Sequence, residues 1–189
     1  ETLTVMKKAW TEKFFSHKGE FYTYPSPNFK WQHDMSPPSE EFMNIETKIL
    51  EKISIVPRPL QQPHPPLWQV VDGTSSIEWA AKNGINTIMW IPTVQSLKKR
   101  FEIYKNARSE VEKRNVEMGE GVSLVRDMFV ADSMEEAREK AGENMVNYMR
   151  WVCHWRGLGT HMNPGEELPK TENKLDLLSY DFLHKRNML

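Results

Sequence analysis

A short run of small and acidic residues has the composition of an anion-binding turn. The run stands between an apolar segment and an Ala-rich segment, and it consists of Asp72, Gly73, Thr74, Ser75 and Ser76. The first backbone N–H groups of a helix lack intrahelical acceptors, and the helix dipole favours negative charge there. Gly73 lets a ligand approach the backbone, and the hydroxyls that follow add hydrogen-bond donors. The run has two interpretations: one hydroxyl caps the helix, or the turn binds a phosphate, provided that the Asp72 side chain points away from it.

Three other side chains could contact a ligand near the same place. Trp90 ends an apolar segment, "NTIMW", and offers an aromatic surface. Arg126 lies between apolar neighbours in a predicted strand, and a charged side chain is rarely buried unless it is paired. It therefore either contacts a ligand or pairs with a carboxylate on a helix. Met149 lies in a later helix, where it either packs in the core or forms a wall of a substrate pocket.

The cysteine and histidines near the end of the chain could suggest a metal site or a nucleophile. Cys153, His154 and His161 match none of the usual zinc spacings, and adjacent helical residues point to different sides. We therefore predict no metal site and no catalytic thiol. A single cysteine also excludes an internal disulfide and fits a reducing compartment, so we expect a cytoplasmic protein.

Three strand–helix units must position these residues. Strands are predicted at 67–71, 86–90 and 122–131, and helices at 76–83, 94–114 and from 132 onward. This alternation predicts an α/β fold with a parallel sheet and crossover helices, whose apolar strands are buried on both faces. Ligands of such folds bind beyond the carboxyl ends of the strands, which is where the run 72–76 lies.

The flanking segments are less regular. A first helix is predicted within 2–15, and the Pro-containing stretch 28–55 reads as an insertion or lid loop. We expect one domain over 1–156, followed by a tail at 157–189 that forms a substrate lid or is partly disordered.

Composition excludes several function classes. The chain has 189 residues and a formal net charge of −1, which gives no basic surface for nucleic acid. No apolar run approaches the length of a membrane span. Seven tryptophans, eight phenylalanines and five tyrosines supply aromatic surface for a core or for a pocket that binds flat ligands.

Four segments together resemble the luciferase-like monooxygenases, the flavin-dependent relatives of bacterial luciferase. In chain order they read "GEFYTYP", "PRPLQQPHPPLWQVV", "GTSSIEWAAKNGI" and "VADSMEEAREKA". The resemblance covers roughly residues 1 to 150. It implies that the chain is the C-terminal part of a TIM-like (β/α)8 barrel, and hence a truncated chain.

The resemblance also implies a function and a cofactor. Members use reduced FMN and O₂ to oxidise a small organic substrate, and a separate NAD(P)H:flavin reductase supplies the reduced flavin. The turn 72–76 would hold the flavin phosphate, chiefly through the amides of Gly73 and Thr74 and the hydroxyl of Ser76, and Trp90 would lie near the flavin ring. A homo-oligomer is also expected. A deazaflavin-dependent oxidoreductase of the same fold and a non-catalytic flavin-binding protein are the alternatives.

Overall fold

The computed structural model divides the chain into two compact units. It describes residues 1–33, 35–168, 170, 173–186 and 188. The first unit is Glu1–Pro66 and the second is Leu67–Leu189. Among the described residues, no helix combines the length and the apolar character that crossing a bilayer requires.

The first unit contains little regular structure. Helix α1 (Thr2–Thr11) precedes a two-stranded antiparallel hairpin of β1 (His17–Lys18) and β2 (Thr23–Tyr24). The carboxylate of Glu1 accepts hydrogen bonds from the backbone N–H groups of Phe21 and Tyr22. Within the described part of 28–55, pairing is limited to isolated β-bridges. Its role as a lid stays a prediction.

The second unit is built on a three-stranded parallel sheet. Its strands lie in the order β3–β4–β5. Their bounds are β3 Trp68–Val70, β4 Asn86–Trp90 and β5 Val122–Val125, and the helices that follow them are α2 Thr74–Lys82, α3 Val94–Glu112 and α4 Met134–Arg156. This confirms the α/β class, the parallel sheet and the crossover helices.

The helix ends follow from local chemistry. Helix α2 ends at Lys82, with Asn83 as its C-cap, and Gly84 follows with a φ of +72°, which is the left-handed conformation that favours glycine after a helix. Helix α3 begins after Thr93, and its side chain accepts a hydrogen bond from the Ser96 amide. Ser133 caps α4 in the same way.

The prediction that the strands are buried on both faces is wrong. Thr87 and Met89 of β4 are fully buried, whereas Trp68 and Val70 of β3 are 48% and 63% exposed. Side chains alternate between the two faces of a strand. The described helices therefore cover the face that carries Thr87 and Met89 and leave the side chains of the other face open along β3.

Residues after α4 pack into the same core as that helix. The chain continues through 3₁₀ turns at Leu158–His161 and Lys174–Leu177 to helix α5 (Tyr180–Lys185). The buried cluster contains Ile91, Val146, Met149, Cys153, Leu158, Met162, Leu178, Leu183 and Met188. Apolar side chains of α4 and of the segment after it therefore share one core. A separate role for the tail 157–189 stays a prediction.

Candidate functional site

The N-terminus of α2 is open. Gly73 is the N-cap residue, with φ −85° and ψ 158°, and no side chain caps the helix. The Ser76 hydroxyl donates to the Gly73 carbonyl at 2.8 Å, and it accepts from no amide of the first turn. Among the described residues, the amides of Thr74, Ser75 and Ser76 have no acceptor. No hydroxyl of the run 72–76 therefore caps α2.

The helices that follow β4 and β5 do have side-chain caps. Thr93 satisfies an amide of α3, and the Ser133 hydroxyl accepts from the Glu136 amide at 3.1 Å in α4. Of the helices after β3, β4 and β5, α2 is the one whose N-terminus has no side-chain cap.

A cavity of about 290 Å³ opens at this N-terminus. Its lining includes Gly73 and Thr74 from the turn and Lys99 and Arg100 from α3. A Cβ added to Gly73 would meet no atom within 4 Å, so there is open space directly beside the backbone. Thr74, whose amide is unpaired, thus lines the same cavity as Lys99, Arg100 and the acidic Asp72. An unpaired amide and two cations are donors suited to an anion.

Two arginines neutralise Asp72. Its carboxylate accepts from Arg100 at 3.1 Å and from Arg156 at 3.0 Å. The carboxylate that could oppose an anion in this turn is thus paired with two positive charges, and the three side chains together carry a net charge of +1.

Trp90 lies beside this charge cluster. It ends β4, and the Arg156 guanidinium stands 4.9 Å from its ring centroid. Tyr148 of α4 packs edge-on against the same ring at 6.2 Å. Arg156 therefore links Trp90 to Asp72 and so to the N-terminus of α2.

Arg126 lies just beyond the end of β5, because this strand is shorter than predicted and ends at Val125. Its Nη2 donates to the Pro92 carbonyl, and its buried Nη1 has no acceptor in the described part of the chain. Burial lowers the pKa of this guanidinium. Arg126 forms no ion pair with a described helix carboxylate, so the predicted pairing with a helix is not formed. Contact with a ligand stays a prediction.

Met149 and Cys153 lie in the core. Met149 is 1% exposed and packs in the cluster beneath α4, so its role in a substrate pocket stays a prediction. Burial raises the pKa of the Cys153 thiol, which disfavours the reactive thiolate.

His161 is buried beside the charge cluster. Its Nδ1 donates to the Ile91 carbonyl at 3.4 Å, and its Nε2 has no partner among the described residues. Desolvation lowers the pKa of the ring, and the nearby positive charges of Arg156 and Arg100 lower it further. Burial therefore disfavours the charged form of the imidazole.

The sequence interpretation missed the cations of this site. Lys99 and Arg100 lie in the second turn of α3, and Arg156 ends α4. The signal for the first two was their position shortly after the end of β4, at the same edge of the sheet as the turn 72–76. Arg156 carried no comparable signal.

No family model matches the chain. The oxygenase component of a flavin-dependent trigonelline monooxygenase from Acinetobacter baylyi is 28% identical over 176 residues, which are 93% of this chain and 41% of the relative. The chain resembles flavin-dependent monooxygenases. This confirms the resemblance that the four sequence segments indicated.

Two solved structures share the fold. Monooxygenase RslO1 from Streptomyces bottropensis matches with a TM-score of 0.56 and 18% identity, over 80% of this chain and 39% of that one. The second is the oxygenating constituent of 3,6-diketocamphane monooxygenase from Pseudomonas putida, a type II Baeyer–Villiger monooxygenase in complex with FMN. It matches with a TM-score of 0.58 and 15% identity, over 99% of this chain and 47% of that one. The chain thus spans less than half the length of each relative.

Proposed function

We propose that the chain provides the FMN phosphate site of a flavin-dependent monooxygenase that uses reduced FMN and O₂ to oxidise a small organic substrate. The observation that carries the proposal is the uncapped N-terminus of α2, which opens on a cavity lined by Lys99 and Arg100. The similarity to a flavin-dependent oxygenase component supports it independently. In this reading, the parallel unit is part of a (β/α)8 barrel and its open sheet face belongs to the barrel interior.

The donor set fits a phosphate monoester. Three unpaired amides, the exposed hydroxyls of Thr74 and Ser75, and two cations can satisfy several phosphate oxygens at once. The hydroxyl of Ser76 donates to Gly73, so we assign Ser76 its amide rather than its hydroxyl. Asp72 orients Arg100 and Arg156 rather than contacting the anion.

Two further residues fit the flavin ring. Trp90 offers an aromatic surface next to Arg156. The unpartnered Nη1 of Arg126 can donate to a polar atom on the edge of the ring, which would remove the cost of a buried unsatisfied donor. Bound reduced FMN would supply the reactivity toward O₂, while these residues hold the cofactor and limit its contact with water.

The partners follow from the same proposal. An oxygenase component obtains reduced flavin from elsewhere, so we propose a separate NAD(P)H:flavin reductase as its supplier. A homo-oligomer and a cytoplasmic location remain parts of the proposal. The assay of activity combines the chain with such a reductase, NADH, FMN, O₂ and trigonelline as the first substrate, and it detects a product that has gained one oxygen atom.

The binding test compares FMN with riboflavin, which lacks the phosphate. Each is titrated into the purified chain and followed by quenching of flavin fluorescence. We expect FMN to bind at least about tenfold more tightly, as charge-assisted hydrogen bonds to the phosphate would give. Inorganic phosphate should compete with FMN but not with riboflavin. Equal affinities for the two flavins would contradict the phosphate site, and a deazaflavin cofactor titrated in the same way tests the alternative cofactor.

A further inference from the structure

The backbone is strained directly after β4, beside the candidate site. Ile91 has a φ of +45°, which lies in the left-handed region that β-branched residues rarely adopt. Such a conformation is unfavourable by itself and persists only where the surrounding structure imposes it. Trp90 immediately precedes this residue and ends the strand. The contacts that impose the conformation of Ile91 therefore also fix the end of the strand on which Trp90 lies.

Two segments of the chain hold the turn that Ile91 begins. From β5 and its end, the Val125 carbonyl accepts from the Ile91 N–H at 3.4 Å, and Arg126 donates to the Pro92 carbonyl. From the segment after α4, His161 Nδ1 donates to the Ile91 carbonyl at 3.4 Å. His161 lies 70 positions further along the chain than Ile91. The carbonyl side of the strained residue is thus held by a distant side chain and not by its own strand.

Burial of an imidazole at this place is unfavourable apart from that hydrogen bond. His161 is 2% exposed, and its Nε2 has no hydrogen-bond partner among the described residues. Because a carbonyl only accepts, Nδ1 carries the proton, and Nε2 of the uncharged ring is an acceptor without a donor. An apolar side chain of similar size would avoid this unsatisfied atom. The specific contribution of His161 is therefore its hydrogen bond to Ile91.

The segment that carries His161 also contacts the candidate site at both of its ends. We call residues 156–164 the strap. At its start, the Arg156 guanidinium stands 4.9 Å from the centroid of the Trp90 ring. At its end, Pro164 lines the cavity at the N-terminus of α2. His161 lies between these two contacts, so its hydrogen bond joins the middle of the strap to the strained turn.

We propose that His161 is a positioning residue, which holds the strained turn after β4 through the Ile91 carbonyl and thereby fixes the Trp90 ring at the cofactor site. This rests on the proposed function, in which Trp90 lies beside the flavin ring. It adds a residue that itself contacts neither cofactor nor substrate. Because His161 acts on the ring end of the site, the preference for FMN over riboflavin should not depend on it.

The first test observes Trp90 directly and needs no flavin. In the purified chain labelled with ¹⁵N-tryptophan, the indole N–H resonance of Trp90 is assigned by its absence in Trp90→Phe. We expect this resonance to shift in His161→Leu, which has no donor for the Ile91 carbonyl. It should return toward its original position in His161→Asn, whose side-chain amide supplies an N–H near the place of Nδ1.

A control and a stability measurement accompany this test. Leu183→Met is the matched control, because Leu183 is buried in the same core cluster and has no hydrogen-bonding side chain. It should leave the Trp90 resonance unchanged. The urea midpoint of His161→Leu should not fall below that of the parent chain, because the variant removes the unsatisfied Nε2 together with the hydrogen bond.

The second test determines whether His161 acts through Trp90. Riboflavin and FMN are titrated into the parent chain, Trp90→Leu, His161→Leu and the double variant. We expect His161→Leu to weaken the binding of both flavins by the same factor, about threefold, as the loss of a well-oriented ring contact would give. The double variant should bind as weakly as Trp90→Leu alone, because a positioning residue has no effect once the ring is absent.

Two results would overturn the inference. An unchanged Trp90 resonance in His161→Leu, with a lower urea midpoint as the one effect, would leave His161 a role in core stability alone. Additive losses of riboflavin affinity in the double variant would show that His161 acts independently of Trp90. Failure of the proposed function is distinguishable, because the parent chain would then bind neither flavin or bind both equally, while the resonance still reports whether His161 positions Trp90.

Discussion

Replacing Thr74 with proline removes one amide donor from the open end of α2 without removing the helix. Thr74 is the first helical residue, a position where proline is well tolerated because its N–H is not used by the helix. Gly73 has φ −85° and ψ 158°, which is a conformation that a residue before proline adopts readily. The folded structure should therefore accept Thr74→Pro.

The expected loss of affinity follows from the hydrogen bond that disappears. A hydrogen bond to a charged group contributes about 1.5–3 kcal/mol, and each 1.4 kcal/mol is about tenfold in the dissociation constant. Thr74 and Ser75 are exposed, so the lower end of this range applies. We expect FMN to bind about tenfold more weakly to Thr74→Pro than to Thr74→Ala, which lacks the hydroxyl but keeps the amide.

Two comparisons separate the loss of the amide hydrogen bond from general disruption of the fold. Riboflavin affinity should be the same in both Thr74 variants, since riboflavin has no phosphate. Val94→Pro introduces proline at the first residue of α3, which is 52% exposed and whose N-terminus is capped by Thr93. It should leave FMN affinity unchanged. If Thr74→Pro and Thr74→Ala bind FMN equally well, the Thr74 amide does not contact the phosphate and the reasoning is wrong.

Three further predictions follow from the second unit. Arg126→Met should lower the affinities for FMN and riboflavin by the same factor, about fivefold, because its unpartnered Nη1 would contact the ring and not the phosphate. The unfolding temperature should fall as the pH is lowered through about 6.5, because the unfolded chain binds a proton at His161 while the folded chain, in which burial lowers the pKa, does not. His161→Gln should reduce that dependence. Gly121→Ala should destabilise the fold by about 1–3 kcal/mol, since φ is +72° and the new Cβ would lie 2.7 Å from the Tyr104 hydroxyl.

Each of these has a result that contradicts it. An effect of Arg126→Met on FMN alone would place this side chain at the phosphate. Identical pH dependence of unfolding temperature with and without His161 would show that other groups cause the slope. For the glycine, Gly159→Ala is the control, because an added Cβ meets nothing within 4 Å there. Equal denaturant midpoints for the two glycine variants would contradict the steric argument.

Local patterns predicted the elements that local chemistry determines. The strand Asn86–Trp90 was predicted with its observed bounds, and Gly84 follows α2 in the expected left-handed conformation. Ser133 caps α4, as the acidic residues of the first turn suggested. In each case the residues that set the structure lie within a few positions of one another.

Apolar composition alone overestimated the length of β5. The predicted strand 122–131 ends at Val125, although the segment after Arg126 is rich in apolar residues. In the structure Met128 and Val130 are 86% and 81% exposed, and this segment has no backbone partner on a neighbouring strand. Strand length depends on how far the neighbouring strand extends, and β4 ends at Trp90.

The electrostatics of the site depended on long-range contacts. Asp72 pairs with Arg100 across 28 positions and with Arg156 across 84. Nothing in the local sequence links those residues, so the sequence could raise the question of the Asp72 charge but not resolve it. The turn itself was recognisable because glycine, hydroxyl residues and the start of a helix are adjacent in sequence.

The most direct measurement is a crystal structure of the chain with FMN. The proposal predicts phosphate oxygens within about 3 Å of the amides of Thr74, Ser75 and Ser76, with Lys99 or Arg100 as counter-charge. An FMN phosphate bound elsewhere, with these amides contacting only water, would contradict it.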